Sequence, residues 1–306
     1  MFGECHAHMI MDGVNYKKAV AQHKDGVVDA VIRQRFEEYT KRGIFFIRDG
    51  GDACGVSKRA AQLACEYGIT YRTPVFALHK SGHYGGIVGL PFSDFSEYRD
   101  RIAQVRTQGG HFIKLMFSGI LDFSRGGAMT EAPLQRDEIR ELIHIAHEEG
   151  FSVMAHVNGA APVLAAVEAG VDSVEHGNFL DEEALQALSE SHTVWVPTYV
   201  TITNLIGSGR FDDRALEQLK KEAGARIRRG FALGANIAIG SDAGAYRVLH
   251  GQGLLDDIGA FCTSESAGRG CRGVPKRAGC KVSGCRKADP GAVLTCYKTI
   301  KNPRKM

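Results

Sequence analysis

Two histidines stand one residue apart near the start of the chain, in MFGECHAHMIMDG. In an extended strand alternate side chains share a face, so His6 and His8 aim two imidazoles into one space. Alone, such a pair is commonly a surface accident. It becomes metal chemistry when further ligands arrive downstream, and four residues of suitable type do. They are Lys114 inside the apolar run HFIKLMF, His156 in SVMAHVNG, His176 in DSVEHGN and Asp242 in IAIGSDAG. Each histidine could instead be a hydrogen-bonded packing residue, and Asp242 could cap a following helix. Lys114 is harder to place without chemistry, because a charged amine in an apolar strand is costly unless paired or neutralised. A lysine neutralised in this way can react with carbon dioxide and become an anionic bridging ligand.

The elements that must position these residues alternate along the chain. Apolar, β-branched or aromatic runs lie near 4–10, 44–48, 71–78, 111–117, 152–157, 172–176, 193–198 and 236–241. Between them lie helical stretches such as DGVVDAVIRQRFEEYTKRG, RDEIRELIHIAHEEG and RALEQLKKEAGARIRRGFALG, several ending at a glycine. Eight strands, with a helix after each of the first seven, predict an α/β fold of the (β/α)8 TIM-barrel type. An eighth helix would begin near Gln252. A doubly wound open sheet is the alternative, but neither Gly-x-Gly-x-x-Gly nor Gly-x-Ser-x-Gly is present. Barrels carry their chemistry at the C-terminal ends of the strands, and all six candidates lie at or near such ends. His144 and His147, on a helix, read as packing or surface residues, and Trp195 as core.

At 306 residues, 44% hydrophobic and 24% charged, the chain is long enough for one large barrel. No apolar run approaches the roughly 18 residues that span a bilayer, and no secretion signal is visible. A cytoplasmic protein is the expectation. The net charge of +3 conceals an asymmetry: residues 262–306 hold 11 Lys and Arg against Glu265 and Asp289. Five cysteines, Cys262, Cys271, Cys280, Cys285 and Cys296, crowd the same stretch. The expected division is a barrel over 1–261 and an atypical basic, Cys-rich tail over 262–306, either disordered or the product of a shifted reading frame.

The residue set resembles the amidohydrolase superfamily of metal-dependent hydrolases. The pattern is His-x-His on strand one, a lysine on strand four, single histidines on strands five and six, and an aspartate on strand eight. FFIRDGGD, AAVEAGVDSVEHGNFLDEEALQALSESHTVWVPTYV and GANIAIGSDAG followed by HGQG are similar to further family segments. The resemblance spans about residues 3–258 and is nearest to imidazolonepropionase-like and dipeptidase (prolidase)-like members. Lys114 favours the dipeptidase-like ones, which bridge two metals with a carboxylated lysine. Members similar to adenosine deaminase carry a glutamate three residues after the strand-five histidine. Gly159 stands there instead, against a deaminase.

The resemblance implies hydrolysis of a C–N bond in an amide, peptide or cyclic amide, with a dipeptide or N-acyl amino acid as small-molecule substrate. His6, His8 and Asp242 would hold one divalent metal, by preference zinc. His156 and His176 would hold a second, with carboxylated Lys114 bridging. Water acidified from a pKa of about 15.7 toward about 7 would attack, and Asp242 would carry its proton to the leaving nitrogen. His83, in the glycine-rich loop HKSGHYGGIVG, would polarise the substrate carbonyl, and Tyr199 could do similar work. Arg247 or His250 could reach a substrate carboxylate. Two alternatives stand beside this: a mononuclear cyclic amidase of imidazolonepropionase type, and a barrel that binds metal without turnover because its C-terminus is altered.

Two departures from the family pattern carry expectations. The chain starts at strand one, so the small β-sandwich of most relatives should be absent or much reduced. The tail contains no Cys-x-x-Cys pair, which argues against a zinc module. It remains either a basic arm for an anionic partner or a frame-shifted end, with nucleic acid not the expected partner. In the second case helix eight would be lost, the seam between strands one and eight uncovered, and association into homo-oligomers favoured.

Overall fold

The computed structural model describes residues 2–265. The predicted tail is described only through Glu265; from 266 onward it lies outside the described residues. The strands are β1 (Phe2–Ala7), β2 (Ile44–Asp49), β3 (Thr70–Arg72), β4 (Ala77–Lys80), β5 (Gly89–Phe92), β6 (Ile113–Met116), β7 (Leu121–Asp122), β8 (Ala128–Met129), β9 (Val153–Val157), β10 (Ser173–His176), β11 (Val194–Val196) and β12 (Asn236–Ile237). The helices are α1 (Tyr16–Ala21), α2 (Asp29–Thr40), α3 (Val56–Leu63), α4 (Phe95–Thr107), α5 (Arg136–Glu148), α6 (Ala160–Glu168), α7 (Glu182–Glu190), α8 (Val200–Thr203), α9 (Asp213–Leu233) and α10 (Gln252–Glu265).

The strands form two parallel arcs, β1-β2-β3 and β12-β11-β10-β9-β6-β4-β5, with helices between them, the arrangement of a TIM-barrel-like α/β fold. The single strand expected over 71–78 is two pieces. β3 pairs with β2, while β4 pairs with β6. Pro74, which has no N–H to give a ladder, and Val75, at φ 69°, break the strand between them. One sequence run thus hands the sheet from one arc to the other. On the far side, backbone bonds tie β1 to the segment after β12: Cys5 N donates to Ile239 O (3.2 Å), Asp242 N to His6 O (2.8 Å) and His8 N to Ala243 O (2.7 Å). The remaining sheet among the described residues is the antiparallel pair β7-β8.

Local chemistry starts and stops the helices as the sequence suggests. Asp94, Asp181 and Asp212 cap α4, α7 and α9 through their carboxylates, and Gly234 ends α9 in the left-handed conformation. Helix α5 buries Ile139, Leu142, Ile143, Ile145 and Ala146, joining Leu115, Val153 and Ala155 in the main core.

The eighth helix departs from the expectation that the tail would dissolve it. α10 forms 14 residues, and Leu254 is buried in a cluster with Ile10, Phe36, Tyr39 and Val248. Asp257, also buried, accepts a hydrogen bond from Val200 N (2.9 Å). Apolar residues survive through Phe261, enough for the helix to dock against α8 and α9 before the composition changes. Among the described residues no helix is long and apolar enough to cross a membrane.

Candidate metal centre

Strand β1 and the residue that follows it carry Glu4, His6 and His8, and all three are buried. Asp242, after β12, meets them there: its Oδ1 lies 3.4 Å from His8 Nε2 and 3.7 Å from His6 Nε2. One ligand atom from each of the three lies within 4.8 Å of the others. Asp242 Oδ1 is buried yet accepts no hydrogen bond. Lone pairs from two imidazoles and a carboxylate converging on an unsatisfied oxygen fit a divalent cation.

The other predicted ligands gather around this group. Lys114, buried on β6, places Nζ 3.5 Å from His6 Nε2. The His176 ring centroid is 5.1 Å from that of His6 and 4.6 Å from that of His156. His156 and His176 also have other polar neighbours: His156 Nε2 lies 3.1 Å from Gly119 O and His176 Nδ1 lies 2.7 Å from Thr198 Oγ1. The cluster therefore contains His6, His8, Lys114, His156, His176 and Asp242, each delivered by a different turn or strand end except for the first two.

Backbone strain accompanies this delivery. His176 and Asp242 adopt φ 67° and 61°, a left-handed conformation uncommon for residues with a side chain. Glu175 already faces His6, so regular alternation would turn His176 away; the left-handed residue breaks that alternation at the strand end. Beside His8, Gly50 is required for space, because a Cβ there would lie 2.3 Å from His8 Cε1.

Burial sets the electrostatics. Removal from water, reinforced by Lys114, pushes His8 and His156 down to about 3 and His6 well below the ordinary imidazole range. His176 falls in the same way, through burial and then the neighbouring His156. Neutral imidazoles are the form that binds metal. Burial also lowers the Lys114 amine, against the opposing pull of Glu175 and Asp242, and raises the Asp242 carboxyl.

The predicted substrate residues are placed differently. His83 is part-buried in the loop after β4, with Nδ1 3.4 Å from Glu131 Oε1. Tyr199 donates its hydroxyl to Lys220 O on α9 (2.9 Å). His250 is buried with both ring nitrogens engaged, Nδ1 with Tyr39 Oη (3.0 Å) and Nε2 with Met11 O (2.7 Å). Arg247 is exposed, at φ 69°, and its Nε donates to Asn204 O (3.4 Å). Trp195 is core, and its Nε1 donates to His176 O (2.9 Å).

Several residues at the site escaped sequence reasoning. Tyr84 stacks obliquely near His156, with ring centroids 5.3 Å apart, and Glu131 Oε1 accepts from Tyr84 N (2.9 Å). Glu4 bonds Ser241 through both carboxylate oxygens, stitching β1 to the residue before Asp242. Glu175 lies against His6 and Arg48. The available signal for Glu4 and Glu175 was an acid inside a strand that otherwise reads as buried.

Comparison with known proteins follows the same lines. The model described as "Amidohydrolase family" matches residues 4–267. Ochratoxinase of Aspergillus niger is 29% identical over 194 residues, covering 60% of this chain and 38% of that protein. An uncharacterized protein of Mycobacterium tuberculosis is 27% identical over 179 residues, covering 56% and 47%. The chain thus spans about half or less of the length of these curated relatives. A crystal structure of a Xaa-Pro dipeptidase with bound methionine in its active site superposes with a TM-score of 0.67 at 20% identity, covering 86% of this chain and 70% of the other.

Proposed function

The chain belongs to the amidohydrolase family, and from that premise we propose that it hydrolyses a C–N bond in a dipeptide or N-acyl amino acid, using a divalent metal centre. The observation that carries this reading is the convergence of His6, His8 and Asp242, with Lys114 Nζ at 3.5 Å from His6 Nε2. The similar fold of a Xaa-Pro dipeptidase supports a dipeptide as the first substrate to try.

His6, His8 and Asp242 would hold one cation, zinc suiting the imidazole and carboxylate donors. His156 and His176 would hold a second. The Lys114 amine, lowered by burial to about 8, would in its neutral form add to carbon dioxide with loss of a proton, and the resulting carbamate would bridge. Such a centre supplies carbonyl polarisation and a water acidified toward a pKa of about 7. Asp242, whose carboxyl burial raises to about 7, is suited in its ionised form to accept the water's proton and return it to the leaving nitrogen. His83, on the loop over the site, would donate to the substrate carbonyl oxygen. The barrel over 1–261 would carry this chemistry without the basic stretch 262–306.

A mononuclear centre is the second reading, favoured by the separate engagement of His156 Nε2 with Gly119 O. Elemental analysis on protein purified without added metal, beside a Lys114→Ala variant, decides between them. Near two metals per chain, falling in the variant, supports the bridged centre. About one, indifferent to Lys114, supports the mononuclear reading. None in a folded sample overturns both.

A further inference from the structure

Resting on this metal-centre reading, we propose that Glu175 is a positioning residue which, backed by Arg48, fixes the tautomer and rotamer of His6. Glu175 is fully buried on β10. Its Oε2 lies 2.8 Å from His6 Nδ1. Its Oε1 accepts from Arg48 Nη2 (2.6 Å) and from Ser173 Oγ (2.7 Å).

Nδ1 and Oε2 are 2.8 Å apart without the alignment of a hydrogen bond; two lone pairs at that distance repel, so the contact is relieved when the single proton of neutral His6 sits on Nδ1. Nε2 is then a bare lone pair, directed to Asp242 Oδ1 and to Lys114 Nζ. The carboxylate itself cannot swing away. Arg48 also donates Nε to Cys5 O (2.7 Å) and Nη1 to Ser173 Oγ (2.9 Å), which anchors the guanidinium to the residue preceding His6. Support and supported side chain are therefore bound to the same short piece of β1.

Charge argues in the same direction. Glu175 compensates a largely buried Arg48, whose cation would otherwise face the metal pocket through His6. Removing Glu175 would both free the ring and leave a positive charge beside the place a cation must occupy. Outer carboxylates that hold a ligating histidine typically contribute about 10–100-fold in metal affinity. The strand does two jobs in sequence: Glu175 holds one proposed ligand, and His176, turned by its left-handed backbone, supplies another.

The test uses metal-stripped full-length protein titrated with zinc against a chromophoric chelator, comparing the parent with Glu175→Gln. The expected result is affinity weakened about 10–100-fold, with the metal-free melting temperature within about 5 °C of the parent. Arg48→Gln should weaken affinity too, and the double variant should lose less than the two single losses combined. Unchanged affinity in Glu175→Gln overturns the proposal. A second measurement stands apart from folding of the variant: the ring-nitrogen shifts of His6 in the metal-free parent, by 15N NMR. A proton on Nδ1 is expected, and one on Nε2 overturns the proposal. If the parent takes up no metal, the metal reading fails alone, and the tautomer still decides the role of Glu175.

Discussion

Lys114 Nζ lies 3.5 Å from His6 Nε2, both side chains being buried among neutral imidazoles. An amine held there is a liability to the fold, since among the described residues no carboxylate bonds it directly and burial disfavours its charge. Lys114→Met keeps the volume and removes that burden. The metal-free variant should be more stable than the metal-free parent by about 1–3 kcal/mol in urea unfolding. Its metal content should meanwhile fall. A variant both less stable and unchanged in metal content would remove Lys114 from the site.

Acid should unfold the metal-free protein early. His6, His8, His156, His176 and His250 all have folded pKa values below the ordinary 6.5, with burial the largest cause in each. For such groups the unfolded chain binds protons that the folded chain refuses. Stability is therefore full above about pH 6.5 and falls as pH drops, down to about 3 for His8, His156 and His250. Each histidine contributes up to about 1.4 kcal/mol per pH unit. Glu4, Asp52 and Asp242, raised by burial to about 7, 6 and 7, take up protons in the folded state over the same window and offset much of this loss until the carboxyls of the unfolded chain are protonated too. Circular dichroism against pH should show a cooperative loss between about pH 5 and about pH 3, and a fold persisting below about pH 3 would contradict the buried, neutral state.

The clustering of the candidate ligands was legible because metal chemistry restricts residue type, and a barrel restricts where such residues can stand. His6 and His8 declare a shared face by their spacing, and Lys114 is conspicuous in an apolar strand. What the sequence could not supply was the direction of long side chains on loops. Tyr199 and His250 have the right chemistry and follow the right strands, but their polar atoms are taken by Lys220 O, Tyr39 Oη and Met11 O. Nor could alternation of strand faces reveal that His176 points with Glu175, since a left-handed residue breaks the period. The break at Pro74–Val75 was missed for a similar reason: the run 71–78 looks continuous in hydrophobicity although its hydrogen bonds change partner.

His83 and Tyr199 should separate under mutation. Tyr199→Phe loses one bond to Lys220 O, so stability should fall by about 1 kcal/mol while kcat/KM on a dipeptide panel stays within about threefold. His83→Asn removes a donor from the loop over the site. If His83 assists the substrate carbonyl, kcat should fall about 10²–10³-fold with metal content unchanged. Equal, small effects from both would assign His83 to holding its loop through Glu131.

Gly50 offers a local test of the His8 position. A Cβ at residue 50 would sit 2.3 Å from His8 Cε1 and 2.9 Å from both ring nitrogens. No φ in the left-handed range is recorded for Gly50, so alanine meets the ring rather than a forbidden backbone. Gly50 N donates to Ala7 O (2.7 Å), holding the backbone beside β1 and leaving His8 as the group that must move. Displacing one of three converging donors should weaken metal binding. The three nearest atoms to such a Cβ all belong to the His8 ring, so Gly50→Ala should reduce zinc affinity at least about tenfold, as disturbance of a ligand's support typically does. Far-UV circular dichroism should stay that of the parent. The measurement is chelator competition on the metal-stripped protein. Parent-like affinity would mean that His8 can tilt aside without leaving the donor set, placing the binding strength on His6 and Asp242.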